Sequence, residues 1–408
     1  MRLTDNNDVR ENNIRLVLDI IREAGAISRV DIAHATQLSR STITNIVNEL
    51  LPTGLVRETG TVNSIVGRRP ILLEFDYGAR AVLGVDMGAT HLTVAATNLG
   101  GQVLAIRHED YPVAADPGGS INRIVALLAE VQALAGYSRE RVLGIGIGVP
   151  APLEGDRLDR LSPIILPQWV GIDLKRELEA ATQHSIFLDN DANVGALAEK
   201  WWGHGRNVPN FAFIKLGTGV GCGLIIDGSV YRGAGGTAGE IGHSSIDPNG
   251  PVCRCGLNGC LEALTGAPAI IEAVECHLAA GRQSQLAGAF TVAEVAAAAR
   301  AGDPVATEVI TTAGRYLGIA IANLLNLVNP GLIVLWGGIT DASEMLLTQL
   351  RQTVRERSFS KSTAEAIITT SRLGEDAIAI GAATLVIQQT LRSPEPSILE
   401  VIMGNGRR

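Results

Sequence analysis

A chain of 408 residues is long enough for two to four folding units, and its net charge of −8 (34 basic against 42 acidic side chains) excludes a general binder of polyanions. Apolar residues make up 46% and charged residues 19%, which excludes a disordered chain; aromatics at 4% predict an aliphatic core. Residues 1–15 lack the apolar centre of a signal peptide. The most apolar run, 316–339, is broken by Asn323, Asn326, Asn329 and Pro330, so it predicts a buried helix followed by a buried strand rather than membrane insertion. The expected compartment is the cytoplasm.

Charge is uneven along the chain. Residues 1–70 hold nine Arg, no Lys and eight acidic residues, for +1; the other 338 hold 25 basic and 34 acidic, for −9. Ile14, Val17, Leu18 and Ile21 fall at helical spacing, and Gly25 ends that helix. Ser28 and Ser39 are placed to cap helices over Arg29–Thr36 and Arg40–Leu51. Ile32, Leu38, Ile43 and Ile46 supply contacts between these two helices, with Ala33 and Ala35 small where they cross. The turn between them, Gln37-Leu38-Ser39, is short, as in a helix-turn-helix. The second helix offers short hydrogen-bonding side chains, Arg40, Ser41, Thr42, Thr44, Asn45 and Asn48, of the kind that reads base edges in a major groove. Strands Val56–Thr61 and Pro70–Phe75 flank a tip, Val62–Arg69, where Arg68 and Arg69 suit phosphate or minor-groove contact. A head this close to neutral predicts modest affinity per copy and so a homodimer or a dimer of dimers on operator DNA.

From Ala81 the pattern turns to strands: Ala81–Asp86, Leu92–Asn98 and Val103–Arg107, then a helix Ile121–Ala135 and a strand Val142–Val149. A similar order returns at Phe211–Leu216, Gly223–Ile226 and Ser229–Tyr231, followed by helices and the strand Leu332–Leu335. The repetition predicts an internally duplicated α/β fold. Glycine-rich turns occupy equivalent places in the two units: Asp86, Gly88 and Thr90 in the first, Gly217, Thr218 and Gly219 in the second. Such turns expose backbone N–H groups that can cradle phosphate, and Gly337-Gly338 lets an adenine approach the backbone.

Cys253, Cys255 and Cys260 cluster within eight residues, which in a chain with no secretion signal reads as metal before disulfide. His243, ten positions upstream of Cys253, completes a Cys3His set for a structural zinc. Cys222 and Cys276 read as core thiols, and His277 as a core or surface histidine.

The stretch Gly233–His243, with Glu240, and the segment Cys253-Arg-Cys255-Gly-Leu-Asn-Gly-Cys260-Leu-Glu262 carry a specific resemblance, covering nearly the whole chain, to the ROK family of repressors, uncharacterised reading frames and kinases. The resemblance implies a duplicated, two-lobed actin- and hexokinase-like fold with a cleft between the lobes. It places sugar-hydroxyl contacts on Asn190, Asp191, Glu240, His243 and Glu262, with His243 able to bind zinc through one ring nitrogen and sugar through the other. Members with a winged head are mostly sugar-responsive repressors, and some relatives bind protein components of sugar transport. The expected organisation is a winged head over 1–75 and a sugar-binding part over 76–408, its lobes at about 81–190 and 191–390. The alternative is an ATP- and Mg-dependent sugar kinase in which Asp191 is the general base. Family kinases read Asp-x-Gly-Gly-Thr-Lys at the first turn, whereas this chain has Ala89 and His91 in the last Gly and Lys places, which weakens phosphate binding.

Overall fold

The structure is a computed structural model describing residues 6–61, 71–154, 160–162, 165–339, 344–360 and 365–392. The head comprises α1 (Asn6–Ala24), β1 (Ala26–Ser28), α2 (Arg29–Thr36), α3 (Arg40–Leu50), β2 (Val56–Thr61) and β3 (Ile71–Phe75), its sheet ordered β1-β3-β2. Ser28 caps α2 by accepting from Asp31 N, and Ser39 caps α3 by accepting from Thr42 N. Ile32, Ile43, Ile46, Val47 and Leu50 are buried against Ile14, Val17 and Ile21 of α1. Ala33 lies in that core, but Ala35 is exposed: it sits on the outer side of the short α2. Strand β1 carries no pattern of its own in the sequence and forms because β3 offers it a free edge. Arg68 and Arg69 lie outside the described residues.

Two five-stranded sheets follow, built to one plan. The first contains β4 (Ala81–Met87), β5 (His91–Asn98), β6 (Val103–Asp110), β7 (Val142–Val149) and β10 (Ile186–Asn190), in the order β10-β7-β4-β5-β6. The second contains β11 (Phe211–Leu216), β12 (Val220–Ile226), β13 (Ser229–Tyr231), β14 (Leu332–Trp336) and β15 (Ile367–Thr370), in the order β13-β12-β11-β14-β15. In each, the first three strands form an antiparallel meander, the fourth pairs with the first in parallel and the fifth pairs with the fourth in parallel. The duplication expected from the strand pattern is therefore present strand by strand. A small hairpin, β8 (Leu153–Glu154) with β9 (Arg160–Leu161), follows β7.

Helix α4 (Pro117–Ala135) starts four residues before the apolar pattern does, because Asp116 caps it and Pro117 takes its first position. Helix α5 (Leu174–Thr182) precedes β10, and α6 (Asp191–Trp202) leads into the second lobe. Helices α7 (Leu261–Thr265), α8 (Ala267–Ala279), α9 (Val292–Arg300) and α10 (Pro304–Val328) precede β14. The apolar run is thus the second half of α10 plus β14, separated by Asn329 in the left-handed conformation. Helix α11 (Glu344–Arg357) precedes β15, and α12 (Ala377–Arg392) ends the described chain. Cys222 is buried as expected, but Cys276 is exposed: α8 buries Ile270 and Val274, and position 276 faces away from them.

Helices α6 and α12 pack on each other at the centre, α6 on the second sheet and α12 on the first. Glycine permits the contact. A Cβ on Gly146 in β7 would stand 1.8 Å from the Ala382 carbonyl, and one on Gly381 in α12 would stand 1.9 Å from the Val194 carbonyl. The apolar core of the head runs without a break into Val82, Leu99 and Leu143 of the first lobe and Ala383, Val386, Ile387 and Leu391 of α12.

Candidate functional site

The two lobes meet in a cleft whose walls are the C-terminal ends of the parallel strands and the glycine turns. Its inner part is a cavity of about 90 Å³ that brings together Asn190, Asp191, Lys215, Glu240, His243, Arg254 and Glu262. All five residues expected to contact sugar therefore share one pocket. Asn190 ends β10 and caps α6, its Oδ1 accepting from Ala192 N at 3.0 Å. Asp191 opens α6, is 4% exposed, and pairs with the ammonium of Lys215. Burial pushes the Asp191 carboxyl up while Lys215 opposes the shift. Burial alone would lower Lys215, but Asp191 and Asp86 outweigh it and hold the ammonium above the usual lysine range. With two carboxylates acting on one cation, the ammonium–carboxylate form is the stable one.

Glu262 is held by a second ion pair. Arg254 Nε donates to its Oε1 at 2.7 Å and Nη2 to its Oε2 at 2.8 Å, and Val220 N adds a bond to Oε2 at 3.1 Å. Glu240 precedes the short turn Ile241–His243, and burial, with Asp191 and Glu262 nearby, pushes its carboxyl up to about 7.

The donor atoms of His243, Cys253, Cys255 and Cys260 lie within 4.8 Å of one another. Cys255 Sγ to Cys260 Sγ is 3.6 Å, and Cys253 Sγ to His243 Nδ1 is 3.6 Å. Ligands on a tetrahedral ion with bonds of about 2.3 Å stand roughly 3.7 Å apart, so the set fits zinc without rearrangement. His243 turns Nδ1 to the thiols and Nε2 toward Glu240 Oε2, 4.0 Å away in the pocket. Burial pushes Cys260 up to about 12, so a cation is what would make it a thiolate. No disulfide forms among these cysteines.

The outer cleft, about 250 Å³, is lined by Thr90, His91, Lys215, Gly217, Thr218, Ile270, Val292, Trp336, Gly337 and Gly338, among others. Its apolar end retains the character expected of an adenine site, with Gly337 in a positive-φ conformation against the Leu216 carbonyl. The phosphate end carries a side chain. The His91 ring lies on the first turn, where a Cβ on Gly88 would stand 2.1 Å from it, and its Nε2 meets Asp86 Oδ2 at 3.2 Å. Gly88 and Thr90 therefore frame an imidazole.

In the head, Arg40, Ser41, Thr44, Asn45 and Asn48 are exposed on α3 and Thr42 is half-buried. Ser41 and Thr42 share the capping hydroxyl of Ser39, and Thr44 Oγ1 donates to the Arg40 carbonyl. Arg10, Arg29 and Arg57 are paired with Glu49, Glu58 and Glu74.

Lys215 and Arg254 escaped sequence reasoning. A signal existed for each: a lysine inside the otherwise apolar strand Phe211–Leu216, and an arginine between two metal-ligand cysteines. The partner of Lys215 is 24 residues away, whereas that of Arg254 is only eight residues on, but across an irregular loop whose course no periodicity sets.

Comparison with known proteins agrees with this geometry. Residues 82–389 match the ROK family. A putative xylose repressor of Caldicellulosiruptor sp. (strain Rt8B.4) is 32% identical over 393 residues, 95% of this chain and 98% of that protein. A glucokinase of Halalkalibacterium halodurans is 35% identical over 319 residues, 76% of this chain and 96% of that protein. Among solved structures, a ROK family transcriptional regulator described as a homolog of the E. coli MLC protein superposes with a TM-score of 0.81 at 32% identity, covering 97% of this chain and 99% of that one. A winged head fused to two copies of one α/β lobe, with a Cys3His cluster beside a sugar-type pocket, therefore identifies the chain as a member of the ROK family.

Proposed function

We propose that the protein is a transcriptional repressor whose operator affinity is set by an uncharged aldose bound between the lobes. The observation that carries this reading is helix α6. Its first residue, Asp191, lies in the pocket, and its last two, Trp201 and Trp202, pack against the core of the head about 18 Å away. Arg22 of α1 lies over the Trp201 ring at 5.3 Å, and Trp202 Nε1 donates to Thr384 Oγ1 of α12 at 2.8 Å. A ligand that favours closure of the lobes moves this helix and the head with it. In a homodimer, that motion alters the spacing of two recognition helices whose half-sites lie about one helical turn apart.

The charges of the pocket support a neutral ligand. Its lysine and arginine, Lys215 and Arg254, already face Asp191 and Glu262, and Glu240 adds a third acid. The same pairing weighs against phosphoryl transfer: Lys215 occupies the carboxylate that would take the hydroxyl proton, and His91 covers the phosphate turn. Zinc on His243, Cys253, Cys255 and Cys260 holds His243 and the Arg254 loop in place and takes no part in a reaction.

The test is an operator titration with and without a panel of aldoses, preselected by thermal shift. The responsive sugar raises the operator Kd by about tenfold or more, within the usual 1–3 kcal/mol range of coupling. Its phosphorylated form has no effect. Sugar-dependent ATP turnover at enzymatic rates would replace this reading with the kinase one.

A further inference from the structure

We propose that Arg254 is the positioning residue that ties the metal loop to the effector pocket, so that metal occupancy acts on sugar affinity through this side chain in addition to His243. The inference rests on the repressor reading above for its ligand, and on geometry for the rest.

Arg254 lies between two of the candidate metal ligands, Cys253 and Cys255. Its backbone is therefore fixed wherever the thiols are drawn to a common ion. Cys253 N bonds the Leu257 carbonyl at 2.7 Å and Gly256 N bonds the Cys253 carbonyl at 2.8 Å, which closes the loop tightly around it. From that loop the guanidinium reaches into the pocket and engages both oxygens of Glu262, which is buried in α7. Glu262 in turn accepts from Val220 N, the first residue of β12. Gly219 sits directly beneath this fork: a Cβ there would stand 2.6 Å from Glu262 Oε2 and 2.7 Å from Arg254 Nη2. One side chain thus joins the metal loop, the sugar-facing carboxylate and the glycine turn shared by both parts of the cleft. The planar fork is what makes the connection directional: two parallel bonds fix the plane of the carboxylate, whereas one ammonium would leave it free to turn. With the loop unanchored, the fork loses its base and Glu262 is free to rotate away from the sugar hydroxyls it should accept from.

Four forms of the full-length chain separate this from a merely structural role: wild type and Arg254→Met, each with zinc bound and after removal by a chelator. Metal content, sugar affinity and amide exchange of the peptide spanning Gly217–Cys222 are measured for each. The expected result is that zinc-loaded Arg254→Met keeps one zinc per chain and its operator binding without sugar, but binds sugar at least tenfold more weakly. Removing zinc then costs wild type much more affinity than it costs the variant, by a factor of at least three, because the variant has already lost the connection. Arg254→Lys recovers only part of the affinity. The Val220 amide exchanges faster in zinc-free wild type and in zinc-loaded Arg254→Met alike. An equal zinc penalty in both proteins, or unchanged exchange at Val220, overturns the proposal. If wild type binds no sugar at all, the repressor reading fails separately, and the exchange measurement alone decides the role of Arg254.

Discussion

Asp191 faces the pocket on one side and Lys215 on the other. The sugar contact that the family resemblance places on it implies that Asp191→Ala silences the sugar response and leaves operator binding nearly intact. The structure adds Lys215, buried and ion-paired to it. Removing one partner of a buried pair costs about 3–5 kcal/mol, because the other charge is left without compensation. Asp191→Ala should therefore lower the urea midpoint strongly, and Asp191→Asn combined with Lys215→Met should restore most of it while still abolishing the sugar response. Chemical denaturation beside operator titration checks both halves. His91 makes a second prediction. Its hydrogen bond to Asp86 raises its pKa, against a smaller opposing effect of burial. A raised histidine stabilises the fold fully below its unfolded value near 6.5, and the contribution is lost as pH rises through the folded value. The melting-temperature advantage of wild type over His91→Asn should therefore shrink as pH rises above the ordinary histidine value of about 6.5. A constant difference would mean that the pair contributes nothing. At the metal, Cys255→Ser should give substoichiometric zinc by metal analysis and a lower melting temperature; full zinc retention would remove Cys255 from the ligand set.

At the scale of elements, short caps and close contacts do most of the specifying. Ser28, Ser39, Asp116 and Asn190 each begin a helix by accepting a backbone N–H, and the first two of these helices begin where local pattern places them. The central helix pair is different. Gly381 reads in sequence as an unremarkable small residue in an alanine-rich helix, yet it is where α12 crosses α6 at backbone contact. Gly381→Ala gains helix propensity and loses the crossing, so the packing effect dominates: a destabilisation of about 1–3 kcal/mol, read from the denaturation midpoint, is expected. Because α6 carries Asp191 at one end and Trp201 and Trp202 at the other, the same substitution should weaken the coupling of sugar to operator.

For the whole molecule, the continuity of the head's core with Leu143 and with α12 has a practical consequence. Cutting the chain after the wing would uncover an apolar face, so head and body are best tested in the intact chain. Most described arginines of the head are paired internally. Arg40 is exposed on α3, and on the repressor reading it is expected to contribute phosphate contact as well as lie among the groove-facing side chains. Arg40→Ala should weaken binding to all sequences alike and reduce the salt slope by about one; a loss confined to one operator base pair would instead make Arg40 a base reader. Reciprocity holds for the assembly: saturating operator must weaken sugar binding by the factor by which sugar weakens operator binding, and calorimetry in both directions checks it.

How much of this was legible beforehand follows distance along the chain. Period, caps and glycine turns are short-range signals, and they sufficed for the helices of the head, the duplicated meanders and the apolar run of α10 and β14. The Cys253, Cys255, Cys260 cluster was equally readable, because it lies in one short segment, whereas the role expected of Asp191 came from the family resemblance alone. Strand β1 has no pattern of its own, and α8 turns Cys276 outward although the cysteine looks apolar. The partners of charge were out of reach altogether. That Lys215 faces Asp191 is decided by the packing of α6 on the second sheet, that Arg254 faces Glu262 by the folding of the cysteine loop onto α7, and that α6 ends against the apolar cluster of the head by the packing of the lobes. Coulomb attraction and burial act through space, and only the folded chain brings those atoms within range.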